Sequence, residues 1–218
     1  MTKILHTSDL HGNYQLLIEI LDSVDFDIWV DSGDFFPNST RGDSAIENRF
    51  QDDWLRQISL PEKLRNLLSG RPAIVVPGNH DYIDLSSRLQ EDGCTSHNLC
   101  HGSATIDFVR FAGFREIPYI RGEWAGEVYN ESFDEIVDKL ITKDPNVVVT
   151  HAPGRGILSV DNYGSNHGIR QLSNAIQWRL QNVQAHLFGH VHGSGGRKTV
   201  LGDITFSNAA TYYNIVEV

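Results

Sequence analysis

Apolar positions along this chain fall into two rhythms, short continuous runs and longer stretches at helical spacing. Residues 3–8, 27–32, 73–77 and 146–150 are brief and rich in β-branched side chains, as strands buried on both faces are. After the first of them, Leu16, Leu17, Ile20 and Leu21 recur at helical intervals, which predicts a helix within 12–21. Turn-forming residues fill 35–44 and predict a loop. A helical pattern then runs over 46–68, with Pro61 splitting it and Gly70 as its stop. Residues 84–99 read as a short helix and a short strand, and 105–114 as a half-exposed strand or bent hairpin. An amphipathic helix is predicted over 131–141, capped by Asn130 or Ser132, and another over 169–180. From Lys198 onward the pattern reads as antiparallel β. Strand–helix alternation followed by antiparallel strands predicts an α/β fold, a pair of mixed sheets with helices outside. No repeat or linker interrupts the chain, so residues 1–218 read as one domain.

Charge narrows the range of partners. The formal net charge is −10, with no long basic run. Broad nucleic-acid binding needs Lys and Arg to neutralise phosphates, so an extended nucleic-acid surface is not expected. A small phosphorylated substrate stays open, because bound cations would supply local positive charge. Two cysteines, Cys94 and Cys100, read as free thiols in a reducing, cytoplasmic setting. No signal peptide and no membrane span are expected from the apolar runs.

The candidate chemistry gathers where those runs stop. Asp9 and His11 follow 3–8, Asp34 follows 27–33, Asn79 and His80 follow 73–78, His151 follows 146–150, and His190 and His192 follow 186–189. Ligands of open α/β sheets bind just past the carboxyl ends of strands. Asp9-Leu10-His11 and His190-Val191-His192 each place two donors on one side of an extended segment. Singly, each patch is weak, since a lone Asp-x-His or Gly-x-Asp is commonly a turn and a lone His commonly meets a carbonyl. Together and in order they read as a two-metal hydrolytic centre of mixed N and O donors.

Asp9-Leu10-His11, Gly33-Asp34, Gly78-Asn79-His80-Asp81, His151 and Gly189-His190-Val191-His192 resemble, in this order, the motifs of the calcineurin-like metallophosphoesterase superfamily. The resemblance spans nearly the whole chain and implies a four-layer α/β/β/α sandwich. It further implies two divalent transition-metal ions, drawn from Mn, Fe, Zn or Ni. One would take Asp9, His11, Asp34 and His192, the other Asp34, Asn79, His151 and His190, with Asp34 as bridge. Phe108–Phe114, Thr150-His151-Ala152-Pro153 and Leu187–Gly193 resemble the compact MPPED-type branch, which is associated with phosphodiester and cyclic-nucleotide hydrolysis. One departure stands out. Ser/Thr protein phosphatases carry an Asp and then an Arg three and four residues past the Gly-Asp aspartate. Pro37 and Asn38 occupy those positions here and are expected to do neither job.

The reading is therefore a phosphodiesterase using metal-bound hydroxide on a small phosphodiester such as a cyclic nucleotide, with His80 as the acid for the leaving oxygen. Its oligomeric state is not legible. The competing readings are a metal-stabilised nucleotide-binding or scaffold protein, a repair-type nuclease and a monoester phosphatase. Asp81 reads as a loop cap and Asn13 as a helix cap. Arg41, Tyr82, Arg155 and His167 read as solvated loop residues. His6, His97, His101 and His186 read as non-ligands, and Trp29 and Trp178 as core.

Overall fold

The computed structural model describes residues 1–40 and 42–218. Its first half alternates: β1 (Lys3–Ser8), α1 (Tyr14–Ser23), β2 (Ile28–Asp31), α2 (Ser44–Gln57), α3 (Leu60–Leu68), β3 (Ala73–Val75), α4 (Leu85–Glu91) and β4 (Ser96–Asn98). The second half is richer in strands: β5 (Ser103–Ile106), β6 (Val109–Phe114), β7 (Ile117–Pro118), β8 (Glu127–Val128), α5 (Ser132–Ile141), β9 (Val147–Thr150), α6 (Arg170–Trp178), β10 (Ala185–Phe188), β11 (Arg197–Leu201), β12 (Ile204–Asn208) and β13 (Tyr212–Glu217).

Two large sheets result, ordered β13-β1-β2-β3-β4 and β11-β12-β10-β9-β6-β5. Each has a parallel interior; the first carries one antiparallel edge strand, β13, with β4 parallel at the other edge, and the second carries antiparallel strands, β11 and β5, at both edges. Alternate residues of the same strands face opposite layers, as a pleat requires. Ile4, Ile28, Ile74, Val147, Val149 and Leu187 meet between the sheets. Leu5, Trp29 and Ala73 face α1, α3 and α4, while Val148 and Phe188 face α5 and α6. Both faces of each strand are covered, which explains the unbroken apolar runs. The layers are helix, sheet, sheet, helix, as expected from the sequence.

Differences from the sequence reading are local. The tail is not wholly antiparallel, because the β11–β12 hairpin lays β12 parallel to β10. Residues 103–114 form a tight hairpin turned by Asp107 and Phe108, both at positive φ. Neither Asn130 nor Ser132 caps α5 through its side chain; Glu131 holds the cap position without a side-chain bond. Asn13 does cap α1, accepting from the Leu16 N–H. Trp29 is fully buried, but Trp178 is 69% exposed. Leu172, Ala175 and Ile176 form the buried stripe of α6, and residue 178 lies on the far side of it. Among the described residues no helix is long and apolar enough to cross a membrane.

Candidate metal centre

Five loops meet at one edge of the sandwich. Those after β1, β2 and β3 come from neighbouring parallel strands of one sheet, and those after β9 and β10 from the other. Parallel strands end together, so the topology alone gathers the seven predicted donors.

The loops turn sharply to present them. Asp9, His11, Asp34 and His190 have φ of 53, 45, 56 and 64°. Such left-handed conformations cost of order 1–3 kcal/mol each for residues other than glycine and persist where function requires them. Two motif glycines make room as well. A Cβ on Gly189 would stand 2.0 Å from Asp9 Oδ2, and one on Gly78 would stand 2.2 Å from Asp34 Oδ1.

Asp9, His11 and His192 form one group of donors, and Asp9, Asp34 and His151 a second, with ligand atoms in each within 4.8 Å of one another. Asp9 Oδ1 lies 3.0 Å from His192 Nε2, and His11 Nε2 lies 3.4 Å from His192 Nε2. His151 Nε2 lies 3.2 Å from Asp34 Oδ2 and 3.0 Å from Asn79 Oδ1. The His190 ring stands 5.0 Å from that of His151. Outer hydrogen bonds fix these donors. Ser8 Oγ and the His190 N–H donate to Asp9 Oδ2, and the His80 N–H donates to Asp34 Oδ1. His151 Nδ1 donates to the Ser32 carbonyl, so its Nε2 is the ligand atom. Imidazole nitrogens facing carboxylate and amide oxygens, with a back hydrogen bond on each side, suit a pair of transition-metal cations.

Burial opposes charge on Asp34, but His151 overrides it and holds the carboxyl far below the usual range. Burial likewise works against a proton on His151, and Asp34 reverses this, lifting its pKa to about 9. Burial and the neighbouring His151 push His190 down to about 3. The metal-free protein therefore carries a proton on His151 at pH 7, on a nitrogen that a cation needs bare. Metal loading is expected to release that proton, with affinity rising about tenfold per pH unit from 6.5 towards 9. Calorimetric titrations in buffers of different ionisation heat measure it. Affinity that is flat with pH, with no buffer-dependent heat, would contradict this ion pair.

His80 stands beside the donors. Its Nε2 is 3.9 Å from Asp34 Oδ2, and its ring centroid is 4.9 Å from that of His11. Asn38, expected from its residue type to do neither job, instead partners His80: Asn38 Oδ1 is 2.6 Å from His80 Nδ1. Asn38 Nδ2 in turn donates to Glu47 and to the His80 carbonyl. Glu47 is buried at the start of α2 and also accepts from the Ser39 and Thr40 N–H groups. Burial opposes its ionisation, yet these donors hold its carboxyl below the usual range.

Other residues missed in the sequence support the same loop. Trp124 packs on His80 with ring centroids 4.1 Å apart. Arg115 donates to the carbonyls of Gly78 and Asp81. Asp81 is the expected anchor, accepting from the N–H groups of Asp34, Phe36 and Gly78. Tyr82 and Arg155 make no hydrogen bond to the donors among the described residues; Tyr82 bonds to Gln51 and Glu123 instead, and Arg41 lies outside the described residues. His6 is held by Ser32 and Ser207, and His186 by Thr150, and neither is among the grouped donors. His97 lies on β4, and His101 pairs with Glu116 at 2.7 Å.

The family model of the calcineurin-like phosphoesterases matches residues 2–194. The chain belongs to this family. It is 30% identical over 227 residues to the UPF0046 protein K07C11.7 of Caenorhabditis elegans, covering 95% of this chain and 69% of that protein. It is 24% identical to the probable rhamnogalacturonate lyase C of Emericella nidulans over 94% of this chain, which spans only 18% of that protein. In fold, the phosphoesterase is similar to a dimetal phosphatase from Danio rerio, with a TM-score of 0.58 and 14% identity, over 95% of this chain and 86% of that one.

Proposed function

We propose that this phosphoesterase is a two-metal phosphodiesterase for small phosphodiesters, cyclic nucleotides among them. Asp9, His11, Asp34 and His192 would hold one cation, and Asp34, Asn79, His151 and His190 the other. When bound, such a pair supplies activated water near neutral pH and offsets charge on the phosphate oxygens.

The observation that carries the reading is His80 on its mount. The Asn38 amide is oriented by its acceptors: Nδ2 must face Glu47 and the His80 carbonyl, so Oδ1 faces the imidazole. His80 Nδ1 must then carry a hydrogen, and Nε2 is the atom turned towards the donors. A proton held on Nε2 is placed to meet a departing alkoxide, the poor leaving group of natural diesters. Trp124 covers the ring and limits its access to water. Pro37 and Asn38 give a dianionic monoester no guanidinium at that position, whereas a diester carries one negative charge and needs less.

The test compares bis(p-nitrophenyl) phosphate with p-nitrophenyl phosphate under Mn²⁺, Ni²⁺, Mg²⁺ and Zn²⁺. The diester is expected to have the higher kcat/KM. A monoester preference under every metal overturns the reading.

Asn38 itself makes a prediction. Asn38→Ala removes the hydrogen bond that positions the His80 ring, along with those to the His80 carbonyl and Glu47, and is expected to lower kcat on an alkoxide-leaving diester about tenfold. KM and metal content should hold, and Asn38→Asp should restore little, because it turns a carboxylate oxygen towards Glu47 and the His80 carbonyl. Unchanged kcat in Asn38→Ala would show that His80 needs no such support.

A further inference from the structure

Beside the centre lies a cavity of about 300 Å³, lined by His190 and His192 together with Asn162, Tyr163 and His167. Ile120 lines it as well. We propose that this cavity, with His167 as its fixed polar group, receives the second ester arm of the substrate. That arm is the organic group a diester has and a monoester lacks, and the proposal rests on the phosphodiesterase reading.

Three observations support it. The first is place. Two proposed metal donors are among its lining, so a group in the cavity lies against the phosphate position. His80 does not line it: His80 neighbours His11, while His167 neighbours His190, with ring centroids 5.9 Å apart and planes at 84°. In-line displacement expels the leaving alcohol towards His80 and keeps the other arm on a different side, where the cavity is.

The second is preorganisation. His167 Nε2 lies 2.8 Å from Asp161 Oδ2, and the His167 N–H donates to the Ser159 carbonyl. Asp161 Oδ1 accepts from the N–H groups of Tyr163 and Ser165, so one carboxylate shapes the loop and holds the ring. His167 Nδ1 makes no hydrogen bond to any described residue and remains open to a hydroxyl or N–H of a ligand. Gly193 lets this loop close on the metal donors, since a Cβ there would meet Asn162 Oδ1 at 2.6 Å.

The third is the surface at the mouth. Tyr163 is 95% exposed and Ile120 44% exposed. Both offer apolar faces to a planar arm, and Asn162 adds an amide. The chemistry fits a phosphodiester whose retained arm carries a ring with a polar edge.

Binding decides it, read from Kd rather than from rate. The Mn²⁺-loaded His80→Ala protein is titrated calorimetrically with diphenyl phosphate and with phenyl phosphate, which differ by one ring. Adding His167→Ala is expected to shift the ratio of the two Kd values about tenfold towards the monoester, the size of one lost contact of this kind. Tyr163→Ala, at an exposed position with no role in packing, is expected to shift it in the same direction. Elemental analysis confirms that each variant keeps its metal. An unchanged ratio, or equal weakening of both ligands, overturns the proposal and leaves His167 as a loop brace. The kcat/KM comparison above tests the phosphodiesterase reading separately, because it uses the unaltered protein.

Discussion

Asp34→Asn is expected to empty the centre and abolish measurable turnover. The side chain lies where loops from both sheets meet: Oδ1 is taken by the His80 N–H, and Oδ2 faces His151 and the His80 ring. One oxygen is therefore free for metal, and as the shared ligand it would serve both ions. An amide keeps the shape but loses the charge that offsets two divalent cations. Metal affinity should fall by more than the 10–100-fold typical of an outer partner, because a direct ligand is altered. Fold should persist, since the residue packs against no apolar layer. Elemental analysis after dialysis should find both ions depleted. Loss of one ion alone would move the bridge elsewhere, and Asp9 is the alternative, since it belongs to both donor groups.

His80→Ala should leave both ions bound and lower kcat by about 10²–10⁴-fold on a diester with an alkoxide leaving group, the usual share of general acid catalysis. Nitrophenolate departs without a proton, so bis(p-nitrophenyl) phosphate should lose much less. The contrast separates proton delivery from disruption of the site. The Trp124 ring against His80 adds a second reason for a large effect, because the acid is replaced inside a partly closed pocket. Equal losses on both substrates, or loss of metal, would make His80 a brace for the loop that carries Asn79.

Much of this was legible in the sequence because strand ends and ligand types coincide. Runs such as 28–30 and 147–149 are apolar on both faces only in a doubly covered sheet, and the donors follow closely behind them. The supports were harder to read because they act through contacts between distant segments. Asn38 was judged by the residue type expected at its place, and its amide was discounted. The structure shows that an amide serves once a carboxylate, Glu47, fixes its orientation.

A signal for that carboxylate was present. Glu47, Gln51 and Leu55 lie at i, i+4 and i+8 on the buried face of α2, so two polar residues occupy positions that core packing would fill with apolar ones. Gln51 donates to the carbonyls of Pro37 and His80, completing a polar stripe under the loop. Trp124 and Arg115 gave no such signal, as their loops are placed by tertiary packing alone. Trp178 departs from the core reading because it falls off the buried Leu172, Ala175 and Ile176 stripe of α6.

The central claim is a pair of cations held by seven named side chains. Anomalous scattering from crystals of the Mn²⁺-loaded protein tests it most directly. The account predicts two peaks about 3.5–4 Å apart. One should touch Asp9, His11 and His192, the other Asn79, His151 and His190, with Asp34 between them. A single peak, or a pair bound by other residues, would contradict it.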